Sequence, residues 1–210
     1  MKFVFDKIKY KHILDIERLE INENTVAIVG KSGGGKSTLL RIMANIISVD
    51  TGHYSVDNKN INDFNPVIFR RLITLMNQKP IIYSGDIKKN LVRGLIYQNK
   101  IIPDQNKMKE LLHLFNIKCG LENSAKSLSL GEQQRICMIR ALLLQSAVYL
   151  LDEPTSSLDK ETEDVVLRIF FDIAKSMGSQ IIFVTHNLNV SQKYAERIIK
   201  VEGGKICEHH

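Results

Sequence analysis

The sequence predicts an α/β fold, a parallel sheet whose continuous apolar strands alternate with amphipathic helices. Three observations carry that expectation. Val26-Ala27-Ile28-Val29 runs directly into Gly30-Lys31-Ser32-Gly33-Gly34-Gly35-Lys36-Ser37-Thr38, which opens the helical stretch Leu39 to Met43. Ala147 to Leu151 and Gln180 to Thr185 are short apolar runs of the kind buried on both faces of a parallel sheet. Between them, Asp159 can cap a helix with Val165, Val166, Ile169, Phe170 and Ile173 on one stripe, and Gly178 stands just past its end. Strand, helix, strand implies a right-handed parallel crossover.

The remaining elements follow in chain order. Phe3-Val4-Phe5, Ile13-Leu14 and Leu19-Glu20-Ile21, separated by charged or Asn-containing turns, predict a small sheet feeding the strand at 26–29. Thr51 to Asn58 reads as a turn and hairpin. From Lys79 to Lys126 the β-signal fades, and Met108, Leu111, Leu112 and Phe115 fall at i, i+3, i+4 and i+7. This stretch is read as a helical insertion in one domain spanning residues 1–210, interrupted at Pro103, which disfavours helix at the preceding residue. Ile198 to Val201, Gly203-Gly204 and Lys205-Ile206 predict a terminal hairpin.

Composition narrows the setting. With 210 residues and 44% hydrophobic content the chain can bury a substantial core. No run approaches the roughly 18–20 apolar residues of a membrane-spanning helix, and Met1 to Asp6 lacks a signal-peptide apolar region. The cysteines, Cys119, Cys137 and Cys207, have no C-x-x-C spacing and suggest neither a disulfide framework nor a zinc site. A cytoplasmic location is therefore expected. The net charge of +6 is dispersed rather than gathered in the basic stripe of a nucleic-acid binder, so no nucleic-acid partner is expected. Glu208-His209-His210 reads as the remnant of a purification tag.

The chemistry begins at residues 30–38, where the spacing G-x-x-x-x-G-K-[ST] aims backbone N–H groups at a polyphosphate over the positive end of a helix. Lys36 is suited to the β- and γ-phosphates, and the Ser37 hydroxyl to Mg2+. Asp152 and Glu153 stand at the C-terminal end of an apolar strand, where open α/β sheets place their ligands. Asp152 is suited to hold Mg2+ through water and Glu153 to polarise an attacking water. Ser129-Leu130-Gly131-Glu132 has the capping-box pattern, and its exposed helix start is a second anion site.

In this order the motifs resemble those of the ATP-binding cassette (ABC) ATPases: the phosphate loop at 30–38, Gln78, the signature Leu128 to Arg135, Leu150 to Pro154, the D-loop Ser156-Ser157-Leu158-Asp159, and His186 after Val184-Thr185. The resemblance implies a P-loop NTPase core with an antiparallel β-subdomain and an inserted α-helical subdomain at 79–126. It implies ATP and Mg2+ as ligands, with Gln78 sensing the γ-phosphate and Mg2+, His186 as γ-phosphate switch, and Tyr10 stacking on adenine, Phe5 being a nearby competitor. It implies that two copies pair head to tail, the signature residues Ser129 and Gly131 of each closing over ATP held by the other. The signature departs from the commonest form at Leu130 and Glu132. A separate membrane permease is the implied partner, placing the chain peripherally on the inner face of the membrane. Pro80 to Leu91 is similar to the stand-alone ATPases of bacterial two-component metal (iron) exporters, which implies metal-ion export, with small-substrate uptake and peptide or lipid export left open beside it. A soluble ABC-type ATPase of nucleic-acid maintenance is the alternative; a phosphotransferase would give the signature and His186 no task.

Overall fold

The computed structural model describes residues 1–207; Glu208 to His210, with the tag reading attached to them, lie outside the described residues. The described chain divides into two compact units, residues 1–75, 147–153 and 179–207 forming one, and residues 76–146 and 154–178 the other.

The first unit contains two sheets. β1 (Phe3–Tyr10), β2 (Leu14–Ile21), β4 (Thr51–Val56) and β5 (Lys59–Asn60) form a four-stranded antiparallel sheet in the order β2-β1-β4-β5. The first two strands are longer than their apolar runs suggest, because alternation continues through charged outward positions. Phe3, Phe5, Ile8, Leu14, Ile16, Leu19 and Ile21 are buried, whereas Ile13 is exposed in the turn. This sheet leads along the chain into the strand that enters the phosphate loop, but it does not pair with that strand.

β3 (Thr25–Val29) instead lies in a six-stranded sheet of order β10-β9-β3-β8-β7-β6, with β6 (Ile73–Met76), β7 (Val148–Asp152), β8 (Gln180–Val184), β9 (Arg197–Glu202) and β10 (Lys205–Cys207). β3, β7, β8 and β9 pair in parallel, and β9–β10 is the antiparallel terminal hairpin. Every residue of β3, β7 and β8 is buried, as their unbroken apolar runs require. α1 (Lys36–Met43) buries Leu39, Leu40, Ile42 and Met43 in a core shared with both sheets. Phe5 stacks on Tyr54 with centroids 4.6 Å apart, and the Tyr54 hydroxyl donates to the Met43 carbonyl. α2 (Pro66–Leu72) and α7 (Leu188–Tyr194) complete the helices lying within this unit.

The second unit is helical: α3 (Ile87–Tyr97), α4 (Gln105–Leu114), α5 (Leu130–Leu143) and α6 (Lys160–Ser176), with α5 packing on the other three. Met108, Leu111, Leu112 and Phe115 are buried as their spacing predicts. Asp159 caps α6 by accepting from the Thr162 N–H, and Gly178 follows at φ +71°. The buried stripe of α6 is rotated from the expected one, since Val166, Leu167, Phe170, Phe171 and Ala174 are buried while Val165 is exposed. A five-residue apolar cluster is compatible with either face, and packing chooses the one that takes both phenylalanines inward.

Candidate functional site

Parallel register decides which loops meet. Ile28 and Asp152 both pair with Val184 on β8, so the loops leaving β3, β7 and β8 emerge at one edge of the sheet. Those loops carry residues 30–38, Glu153 and His186. Chain reversal into α1 needs glycine at Gly30, whose φ is +142° and whose added Cβ would lie 2.1 Å from the Val201 carbonyl oxygen. Gly30→Ala should destabilise this unit by roughly 2–4 kcal/mol, combining backbone strain with a clash against main chain. Urea unfolding checks this; at Gly33, where φ is +77° but open space surrounds the new Cβ, alanine should cost less.

Lys31, Ser32 and Gly33 are exposed, Gly34, Gly35 and Lys36 are buried, and Ser37 and Thr38 are half-buried. α1 has Gly35 as its N-cap and no side-chain cap, whereas α3, α4, α5 and α6 are capped by Asp86, Asp104, Ser129 and Asp159. The first N–H groups of α1 are thus left to an external acceptor. Lys36 Nζ donates to the carbonyls of Gly30 and Lys31 at 2.8 and 2.9 Å, which holds the ammonium under the loop. Burial lowers its pKa, and the nearby Glu153 and Asp152 carboxylates partly oppose the shift.

Asp152 ends β7. Burial raises its pKa although the Ser37 hydroxyl donates to it, and its Oδ1 is buried with no hydrogen-bond partner among the described residues. A hydroxyl beside a desolvated, under-bonded carboxylate is a hard-oxygen pair that fits Mg2+. Glu153 follows at φ +47°, its N–H donating to the Val184 carbonyl at 3.2 Å. That left-handed backbone turns its side chain to His186, whose Nε2 donates to Glu153 Oε1 at 2.7 Å. His186 is itself framed by the buried Thr185, whose hydroxyl oxygen accepts the Asn187 N–H, and by Asn187, which caps α7. The structure therefore joins two residues that the sequence offers separately. No local pattern announces a contact between positions 153 and 186.

Tyr10 ends β1, half-buried against the core, with Lys11 Nζ 5.3 Å from its ring centroid. Its competitor Phe5 is fully buried and engaged with Tyr54, which leaves Tyr10 as the accessible aromatic of the pair.

The second unit carries the other candidates. Gln78 is exposed in the coil after β6. Ser129 forms the expected capping box: its Oγ and its N–H donate to Glu132 Oε2 at 2.7 and 2.9 Å, and the Glu132 N–H donates back to Oγ. These bonds hold the Glu132 carboxyl below its usual pKa. Gly131 lies against Leu158 and Ser157, and a Cβ there would come 3.0 Å from Leu158 Cδ2. Gln134, inside the signature stretch 128–135, is fully buried.

The family profile described as "ABC transporter" matches residues 17–156. The chain is 34% identical over 206 residues to the lactococcin transport/processing ATP-binding protein LcnC-like of Lactococcus lactis, covering 94% of this chain and 28% of that protein. It is 35% identical over 212 residues to the methionine import ATP-binding protein MetN of Clostridium tetani, covering 94% of this chain and 64% of that protein. The chain thus spans only part of the length of these relatives. Among solved structures, a bacterial Atm1-family ABC exporter with ATP bound superposes with a TM-score of 0.87 at 23% identity, over 99% of this chain and 38% of that one. The ATP-binding subunit of another ABC transporter superposes with a TM-score of 0.85 at 20% identity, over 98% and 88%.

Proposed function

Because the chain belongs to the ABC transporter family and has the ABC ATPase fold, we propose that it binds ATP on the loop at 30–38 and hydrolyses it to drive a separate membrane permease. The observation that carries this reading is the gathering of Lys36, Ser37, Asp152, Glu153 and His186 at one edge of the sheet in the first unit. The uncapped start of α1 takes the phosphates, and Lys36 exchanges its two carbonyl acceptors for phosphate oxygens. Ser37 and Asp152 would hold Mg2+, which when bound neutralises charge on the phosphate oxygens. Glu153 accepts the proton of the attacking water, and His186, already bonded to Glu153, orients that carboxylate. Tyr10 stacks on the adenine. Gln78 is assigned to sensing Mg2+ and the γ-phosphate.

Ser129 and Gly131 complete the site across a head-to-tail homodimer. Permease docking falls to the stretch 79–95, where Ile81 and Tyr83 are exposed, the guanidinium of Arg93 lies 4.2 Å from the Tyr83 ring centroid, and buried Asn90 brackets the Tyr83 backbone. The placement that goes with a permease partner is cytoplasmic and peripheral on the inner face of the membrane; no helix among the described residues is long and apolar enough to cross it. For cargo, the reading keeps the metal-ion export implied by the sequence resemblance. Iron uptake into inverted vesicles, compared with methionine and peptide uptake, tests it.

The decisive experiment mixes a Ser129→Arg subunit with a Lys36→Ala subunit. Each homodimer should be inactive, and the mixture should regain partial activity because one intact loop then faces one intact signature. A Ser129→Arg chain that hydrolyses ATP normally by itself would refute the composite site, and turnover stimulated by DNA rather than by a permease would favour the nucleic-acid alternative.

A further inference from the structure

Gln134 is a polar side chain buried completely near the start of α5, and a buried amide has to find partners. Its Oε1 accepts the backbone N–H of Ser157 at 3.1 Å, and its Nε2 reaches Ser156 Oγ at 3.4 Å. One helical turn earlier, Gly131 meets the same segment, since a Cβ there would lie 3.3 Å from the Ser157 carbonyl oxygen and 3.0 Å from Leu158 Cδ2. Positions 131 and 134 share a helix face, so α5 grips residues 156–158 at two successive points. The gripped segment is also closed on itself. The Leu158 N–H donates to the Thr155 carbonyl at 3.0 Å, the Thr155 hydroxyl donates to Glu163 at 2.7 Å, and Asp159 caps α6.

This arrangement links two parts of the proposed chemistry. The start of α5 carries Ser129 and Gly131, and Ser157 follows Glu153 by four residues in the chain. We propose that Gln134 is a positioning residue: its amide makes the start of α5 and residues 156–158 move as one piece, so that seating of the Ser129 face on a partner's nucleotide fixes the backbone leading to Glu153. The inference rests on the ATP-hydrolysing sandwich proposed above. Gln134 touches no nucleotide and acts through the Ser157 N–H.

The test compares the full chain with Gln134→Met, which keeps length but removes both polar atoms, and Gln134→Glu, which keeps the acceptor for Ser157. Gln134→Met should speed hydrogen exchange at the Ser157 amide while the α5 amides stay protected. Its kcat should fall roughly 10- to 100-fold, as expected when a reacting group is misplaced rather than removed, with KM for ATP changed less than about threefold. Gln134→Glu should keep Ser157 protected and retain most of the parent kcat. A freed Ser157 amide with unchanged kcat overturns the proposal, as does a kcat loss accompanied by exchange along the whole of α5. If the Met variant does not fold, the Glu variant decides: protected Ser157 with a kcat as low as in a Glu153 variant overturns it. Failure of the parent reading looks different, because a Glu153→Gln chain with native Gln134 would then form no ATP-dependent dimer.

Discussion

Glu153→Gln is expected to leave ATP binding unchanged and to slow hydrolysis by roughly 10²–10⁴-fold, the contribution of one positioned proton acceptor. The substitution keeps the size of the side chain, the left-handed backbone at residue 153 and a partner for His186, but an amide does not take up a proton at the pH of the reaction. ATP should therefore be held without being consumed, and an ATP-dependent dimer should accumulate in size-exclusion or sedimentation runs. Turnover near that of the parent chain would exclude Glu153 as the base. The φ of +47° at this position adds a consequence for stability, since a non-glycine residue in that region costs about 1 kcal/mol or more. Glu153→Gly should thus lose hydrolysis while relieving backbone strain, an opposition of activity and local stability that urea unfolding can register.

Lys36→Ala should weaken ATP binding by at least about 100-fold, because charge-assisted hydrogen bonds of about 1.5–3 kcal/mol each are lost to the phosphates. Calorimetric titration with MgATP reads this directly. The fold should survive, since the acceptors abandoned in the free chain are two backbone carbonyls, and Lys31 is exposed to water. Lys36→Arg should not restore binding. The Lys36 ammonium sits between the Gly30 and Lys31 carbonyls under a tight loop, a space for a point charge rather than for a planar guanidinium fork. Unchanged affinity in the alanine variant, with an intact circular dichroism spectrum, would remove the loop at 30–38 from the nucleotide site.

What could be read from the chain without its structure has a common physical origin: chemistry that acts over a few residues. Gly30 to Thr38, the capping box at Ser129 and Glu132, the Asp159 cap and Gly178 are each set by backbone conformation and hydrogen bonds within one turn, and spacing alone reports them. The buried runs of β3, β7 and β8 are legible for a related reason, because strands covered on both faces need no alternating polar positions, and here the polar residues Thr25, Asp152 and Gln180 stand only at strand ends. The tertiary structure decided whatever depends on which distant segments pack together. It separated β1 and β2 from the sheet of β3, turned the phenylalanines of α6 inward in place of Val165, and left Phe5 in the core. The pairing of Glu153 with His186 and of Gln134 with Ser157 belongs to the same class. Those contacts are selected by sheet register and helix packing, where many side chains are buried together, so no single local pattern encodes them.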